Sequence, residues 1–211
     1  TSSTCTFTIR DEYPHLLDID NADVREDVEL ATRYIYRLLS QKKTKLNFKT
    51  GQKIKVAYHT PCHMEKLGWA YYSIELLKLI PNIELTILDS QCCGIAGTYG
   101  FKKENYKTSQ DIGEPLFKQI EALDIDYVVT DCETCKWQIE MSTSKRCEHP
   151  ISILANALEI GKPSGIPFDL CVLSIFSFTG YDKDSVFIAL HIKRRISCFR
   201  IFFFNIDISF S

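Results

Sequence analysis

The sequence has 211 residues, of which 45% are hydrophobic and 25% charged, and its net charge is −2. This composition is typical of a globular protein with a sizeable core, and it argues against a nucleic-acid partner because a basic excess is absent. No apolar run reaches the roughly 18 residues of a membrane-spanning helix, and the start has no signal-peptide layout. The unusual feature is the presence of nine cysteines.

The first half of the chain predicts two helices around a short strand. Asp20 and Asn21 are expected to cap the first helix. After Gly51, residues 53–58 read as a strand, and a helix over 66–79 is expected to end before Pro81. The apolar face of the first helix recurs three and four residues apart, at Val24, Val28, Ala31, Ile35, Leu38 and Leu39.

The second half alternates strands with helices. Residues 83–88 and 127–130 read as strands, separated by a helix over 106–123. Two further helices are expected over 133–142 and 151–158. This alternation predicts the α/β class, with a parallel sheet covered by helices on both faces.

The segment 162–211 differs from the rest of the chain. It is rich in phenylalanine and contains no glutamate, since the last one is Glu159. Three interpretations are open: an aromatic-rich membrane-surface segment, a poorly folding tail, or non-native sequence such as a shifted reading frame. The composition favours the last two, because it does not fit an amphipathic helix.

Five cysteines follow the predicted strands directly. Cys62 follows the first, in HTPCH, and Cys92 and Cys93 follow the second, in QCCGIAGTYG. Cys132 and Cys135 follow the third, in DCETCKW. The carboxyl ends of neighbouring parallel strands form the ligand-binding edge of an open sheet. We therefore expect all five thiols to meet at this edge.

Such a set of thiolates suits soft metal centres. Cysteine thiolates select iron–sulfur clusters, zinc or copper(I), and both a cubane cluster and tetrahedral zinc take four of them. A fifth thiol would complete an unusual cluster, exchange between ligands or act as a redox thiol. Gly94, Gly97 and Gly100 follow the cysteine pair and permit close backbone approach to a bound group.

Several residues near these motifs have simpler interpretations. Cys132 and Cys135 alone would also suit a thioredoxin-like redox pair. His59 and His63 flank Cys62 and are expected to bond the loop rather than a metal. The isolated cysteines are interpreted as structural or incidental, and they are Cys147, Cys171 and Cys198.

A lone Cys, a Cys-Cys-Gly and a Cys-x-x-Cys at these spacings resemble the cysteine-rich CCG domain family. The family includes subunits of heterodisulfide reductase, of lactate and glycolate oxidation and of anaerobic glycerol-3-phosphate dehydrogenase. The last of these is the most similar to two segments of the sequence, which are STCTFTIRDEYPHLL and YHTPCHMEKLGWAYYSIELLKLIPNIEL. The resemblance implies that residues 20–161 are one complete CCG domain and that residues 1–19, including Cys5, end a preceding one. The chain would then be the carboxy-terminal part of a longer protein.

The resemblance also implies a cofactor and partners. The five cysteines would hold an iron–sulfur cluster, [4Fe–4S] of cubane or non-cubane type, and Gly94 would let the loop close over it. The subunit would not be catalytic itself. It would pass electrons from flavin-bearing glycerol-3-phosphate dehydrogenase subunits to membrane menaquinone in anaerobic respiration. The complex would be peripheral, on the cytoplasmic side of the bacterial inner membrane.

Two alternatives remain open at this point. One is a reductase of a disulfide or quinone at the cluster, as in heterodisulfide reductase, or a subunit of lactate or glycolate oxidation. The other is a structural domain in which the same thiols bind zinc. Metal content separates the zinc domain from the iron–sulfur proteins, because all of them need the same residues.

Overall fold

The computed structural model describes residues 2–158, and the segment 162–211 lies outside the described residues. Four parallel strands form one sheet in the order β2-β1-β3-β4. β1 lies between β2 and β3, with Ile54 opposite Ile83 and Val56 opposite Tyr127. The strands are β1 Ile54–Tyr58, β2 Ile83–Ile87, β3 Tyr127–Val129 and β4 Arg146–Glu148.

Eight α-helices flank the strands in the described residues. They are α1 Ser3–Phe7, α2 Tyr13–Leu16, α3 Ala31–Ser40, α4 Cys62–Leu67, α5 Ala70–Lys78, α6 Tyr106–Glu121, α7 Glu133–Ser142 and α8 Pro150–Ala157. A π-helical turn, Thr8–Glu12, joins α1 to α2, and 3-10 turns occur at Arg25–Asp27, Tyr99–Phe101 and Lys103–Asn105. None of the described helices is both long and apolar enough to cross a membrane.

The two faces of the sheet carry separate apolar clusters, as expected where alternate residues of a strand point to opposite faces. On one face Val56, Tyr58 and Val129 pack with residues of α5 and α8. On the other, Ala57 and Val128 pack with residues of α6 and α7. The predicted α/β fold with a parallel sheet is therefore confirmed, and helices cover both faces.

The first predicted helix was wrong at its start. It begins at Ala31 rather than after Asp20 and Asn21. The Asn21 side chain instead donates hydrogen bonds to the carbonyls of Ile9 and Arg10, and it is buried against that segment. A buried amide that is bonded to the π-helical turn Thr8–Glu12 is unavailable as a helix cap.

The helix expected over 66–79 is in fact two helices. Gly68 separates α4 from α5, and its φ of 68° lies in the left-handed region that favours glycine. The break allows α4 to start at Cys62, directly after β1. The strand β4 was not predicted, because it has only three residues, two of them charged, and shows no alternation of apolar and polar residues.

Candidate metal centre

The loops that follow β1, β2 and β3 meet around one cavity of about 450 Å³. Cys62 is the first residue of α4, after β1, and Cys92 and Cys93 lie in the loop after β2. Cys132 precedes α7 and Cys135 lies in its first turn, after β3. All five thiols line the cavity, as the sequence predicted for this edge of the sheet.

The thiols differ in exposure and in protonation. Cys93, Cys132 and Cys135 are buried, whereas Cys62 and Cys92 are exposed. A hydrogen bond joins the Sγ atoms of Cys93 and Cys135 at 3.2 Å. Hydrogen bonds with Cys135 and Cys92 lower the pKa of Cys93 to about 3, and the bond with Cys135 lowers the pKa of Cys132 to about 5.

The pKa values of the remaining three thiols are raised, so these thiols keep their protons. The pKa of Cys135 is raised well above its usual range by its bonds with Cys132 and Cys93. The bond with Cys93 and burial raise the pKa of Cys92, and burial raises that of Cys62. Because the thiolate is the form that binds metal, the two low-pKa cysteines prepare the site for a soft cation.

Backbone and hydroxyl groups support two of these sulfur atoms. The Gly94 N–H donates to Cys92 Sγ at 3.3 Å. Cys132 Sγ lies 3.2 Å from Thr134 Oγ1 and 3.5 Å from Thr4 Oγ1. Hydroxyl and amide donors near sulfur favour its charged form, so they stabilise a thiolate at these positions.

Gly94 does not line the cavity itself. Its φ is 85°, and a Cβ added there would lie 1.9 Å from the carbonyl oxygen of Ser109 on α6. Glycine is therefore required at this position, because the loop passes close to α6. Its N–H also donates a hydrogen bond to Cys92 Sγ. Gly97 does line the cavity, and a Cβ there would meet no atom within 4 Å.

The first helical segment of the chain forms another wall of the site. Thr4, Thr8 and Glu12 line the cavity. The Ser3 N–H donates to the Asp131 carbonyl at 3.1 Å, and Phe7 stacks on His63 with ring centroids 5.2 Å apart. The sequence reasoning missed these residues, because their distance along the chain from the cysteines gave no signal.

The two histidines of the first motif have different surroundings. His63 Nδ1 lies 3.0 Å from Thr4 Oγ1, so it bonds neighbouring structure as expected. His59 lines the cavity and is buried, but neither of its ring nitrogens has a hydrogen-bond partner in the described part of the chain. An unpaired buried polar atom costs about 1–3 kcal/mol. This cost is relieved if a bound group supplies the missing partner.

A buried polar network lies directly behind the thiols. The Asp131 carboxylate accepts hydrogen bonds from Tyr58 Oη at 2.6 Å and from Ser73 Oγ at 2.8 Å. Burial raises the pKa of Asp131 to about 6. The network connects the strand ends beneath the site and fixes the backbone that carries Cys132.

Two other cysteines of the described residues, Cys5 and Cys147, do not line this cavity. Cys147 is fully buried in β4, and burial raises its pKa. Cys5 is exposed on α1, while Cys171 and Cys198 lie outside the described residues. Within residues 2–158, no group of three or more His, Cys, Asp or Glu side chains is arranged to hold a single metal ion as it stands.

The donor set fits an iron–sulfur cluster. Five thiols surround a space large enough for a polynuclear group, and such clusters are held by cysteine thiolates. Two of the thiols have the low pKa values of thiolates, and a buried imidazole with unpaired nitrogens faces the same space. The residues present therefore match the chemistry of this cofactor.

Comparison with known proteins adds to this description. Residues 56–140 match the family model described as "CCG: Cysteine-rich domain". Over 158 residues the chain is 68% identical to one of the subunits of the anaerobic glycerol-3-phosphate dehydrogenase of Escherichia coli strain K12, covering 75% of this chain and 39% of the relative. It thus spans about two fifths of the length of that relative.

Two archaeal relatives are more distant. Over 159 residues the chain is 27% identical to one of the subunits of the fumarate reductase (CoM/CoB) of Methanothermobacter marburgensis, covering 74% of this chain and 30% of the relative. Over 95 residues it is 30% identical to an uncharacterized iron–sulfur protein of Methanocaldococcus jannaschii, covering 44% and 19% respectively.

Proposed function

We propose that the chain is an iron–sulfur electron-transfer subunit of the cysteine-rich CCG domain family, whose model matches residues 56–140. The observation that carries the proposal is the convergence of five thiols on one cavity at the carboxyl edge of the sheet. The similarity to a protein named as an iron–sulfur protein supports the same cofactor.

The cluster would be bound by thiolates from all three loops. It is of the [4Fe–4S] kind, cubane or non-cubane, and when bound it accepts and releases single electrons. The ligands would be Cys62, Cys92, Cys93, Cys132 and Cys135.

The chain's own residues hold and shield this space. Thr134 and Thr4 contact Cys132 Sγ, and the Gly94 N–H bonds Cys92 Sγ, so these groups offset the negative charge of the sulfur atoms. Thr4, Thr8 and Glu12 form part of the cavity wall, and the access of water is limited at the three buried thiols, which are those of Cys93, Cys132 and Cys135. Limited access and neighbouring N–H and O–H donors both influence the reduction potential.

The identity to a glycerol-3-phosphate dehydrogenase component supports a place in glycerol-3-phosphate oxidation. In this proposal flavin-bearing dehydrogenase subunits oxidise the substrate and reduce the cluster. Held by the five cysteines, the cluster would supply the one-electron chemistry by which this chain transfers the electrons toward membrane menaquinone. The chain binds neither flavin nor glycerol 3-phosphate itself, and it associates peripherally with the cytoplasmic side of the inner membrane through its complex.

The test is a measurement of iron, acid-labile sulfide and zinc on protein purified without oxygen. We expect iron and sulfide near four each per chain, as in a [4Fe–4S] cluster, with a spin-resonance signal on reduction or oxidation. About one zinc with no sulfide would overturn the proposal and leave a structural zinc domain. Variants of Cys5 and Cys93 to Ser provide the comparison, since only Cys93 lines the cavity.

A second measurement tests the direction of electron flow. The cluster-loaded protein is mixed with the dehydrogenase subunits, glycerol 3-phosphate and a soluble menaquinone analogue. We expect cluster reduction by the dehydrogenase and reoxidation by the quinone. Reoxidation by a disulfide but not by the quinone would instead support the reductase alternative.

A further inference from the structure

His59 occupies a fixed position at the end of β1. Its backbone N–H donates to the Val129 carbonyl at 2.9 Å, which continues the hydrogen bonding between β1 and β3. Because side chains alternate along a strand, His59 points to the same face as Ala57, where Cys93, Cys132 and Cys135 also pack. Only 1% of the residue is exposed.

In the described part of the chain, the ring of His59 has no hydrogen-bond partner that explains its position. Neither nitrogen makes a hydrogen bond within residues 2–158, although buried polar groups are normally paired. The charged groups that act on it are Cys93, Cys132 and Glu65. His63, by contrast, is bonded by Thr4 and stacked on Phe7.

The ring lines the same cavity as the five thiols. A buried neutral imidazole carries one ring N–H that can donate a hydrogen bond. Two neighbouring thiolates favour such a donor, because their sulfur atoms are negatively charged acceptors. The five cysteines already exceed the four ligands of a cubane cluster. The imidazole is therefore more useful to the site as a hydrogen-bond donor than as another ligand.

We propose that His59 donates its ring N–H to a sulfur atom of the cluster held in this cavity and thereby raises the reduction potential of that cluster. The inference rests on the proposed function, since it needs an iron–sulfur group. A hydrogen bond to sulfur stabilises the reduced state more than the oxidised state, because the reduced cluster carries one more negative charge.

The experiment compares three variants of the 211-residue chain, purified without oxygen. His59→Leu removes the donor and keeps a similar volume, while His59→Gln retains a side-chain N–H. His15→Leu is the matched control, because His15 is exposed and is not among the residues that line the cavity. Iron, sulfide and the midpoint potential are measured on each, the last by redox titration followed by spin resonance.

We expect all three variants to retain iron and sulfide. In His59→Leu the one-electron equilibrium shifts about tenfold toward the oxidised cluster, a fall of about 59 mV. His59→Gln stays much closer to the unmodified chain, and His15→Leu does not differ from it. An unchanged potential in His59→Leu would overturn the inference, and so would loss of iron from both His59 variants, which would identify a ligand.

If His59→Leu does not fold, a measurement on the unmodified chain tests the hydrogen bond from His59 to the cluster. Pulsed spin resonance on protein labelled with ¹⁵N-histidine is expected to show a weak nitrogen coupling, typical of a hydrogen bond, that is absent in His59→Gln. No coupling, or one as large as direct iron–nitrogen bonding, would overturn the inference. Absence of iron and sulfide from the unmodified chain would overturn the proposed function as well. Failure of the inference alone leaves iron and sulfide present, so it is distinguishable from failure of the proposed function.

Discussion

Hydrogen bonds between neighbouring thiols set the pKa values of four of the five cysteines of the site, whereas burial raises that of Cys62. Cys93 and Cys132 have lowered pKa values because Cys135 and Cys92 bond to them, and these partners have raised pKa values for the same reason. Protons are thus shared among four sulfur atoms. Metal binding must release the remaining protons, so the affinity of the site increases with pH.

Replacement of Cys93 by Ser should remove the cluster without unfolding the protein. Cys93 is buried in the cavity and bonds Cys135, whereas the sheet is held by apolar side chains. We expect iron content to fall below about half of the unmodified value with little change in the circular dichroism of the helices. Cys147→Ala is the matched control: it should keep its iron and lose about 1–2 kcal/mol of stability. Loss of all secondary structure in Cys93→Ser would instead indicate a structural metal.

Replacement of Tyr58 by Phe should destabilise the fold through Asp131. The change removes the 2.6 Å hydrogen bond and leaves that buried carboxylate with Ser73 as its side-chain partner. We expect a loss of about 1–3 kcal/mol in urea unfolding. The control Tyr71→Phe removes an exposed hydroxyl bonded to Tyr36, and its effect should stay below about 0.5 kcal/mol. Equal losses in both variants would contradict the role given to the buried network.

The five cysteines could be predicted from the sequence because each follows a strand, and strand ends coincide in a parallel sheet. Thr4 and His59 could not be assigned in the same way. Thr4 contacts Cys132 across 128 positions of the chain. The importance of His59 depends on two unpaired nitrogens, which only atomic positions reveal.

At the scale of elements, the predictions succeeded where a period or a strong break was present. Strands β1 to β3 and helices α6 and α7 have clear apolar patterns and were found within a few residues. The prediction of a helix over residues 21–30 was wrong, because the Asn21 side chain bonds the carbonyls of Ile9 and Arg10 instead of capping a helix. Tertiary contacts of this kind override local preference.

The loop after β2 offers a direct test of this tertiary fit. Gly94→Ala should destabilise the protein by about 2–4 kcal/mol, because the added Cβ would collide with the Ser109 carbonyl and φ is positive. Gly97→Ala, with positive φ but open space, should cost only about 1 kcal/mol. Thermal unfolding of the cluster-free proteins measures both. Similar losses would show that backbone conformation alone, and not the contact with α6, requires Gly94.

At the largest scale that the structure describes, residues 2–158, the fold brings together segments that are distant along the chain. Residues 1–19 are predicted to end a preceding domain, and in the structure they lie within the compact unit Thr1–Gly161. The Ser3 N–H bonds the Asp131 carbonyl, and the Phe7 ring stacks on His63 and contacts the Lys66 ammonium. These contacts could not be predicted, since no sequence pattern connects the segment to the cysteine loops.

The stability of this unit should depend on pH through His149. Its ring accepts a hydrogen bond from the Ile151 N–H at the start of α8, and burial lowers its pKa to about 4. Since the unfolded chain binds the proton more readily, stability falls as pH decreases from about 6.5 to about 4, by at most about 3 kcal/mol. His149→Asn keeps the cap without titrating, so its unfolding temperature should vary less across this window. An unchanged pH dependence in this variant would contradict the assignment.

The strand order has a consequence for the time at which the site can exist. β1 is made before both of its neighbours, and Cys135 leaves the ribosome more than seventy residues after Cys62. Residues 3–12 are synthesised before the cysteine loops, but their contacts with Asp131 and Cys132 form only after those later residues emerge. At synthesis rates of about 5–20 residues per second, the early thiols wait for seconds without their partners. Delivery of the proposed cluster therefore belongs after translation of the cysteine loops.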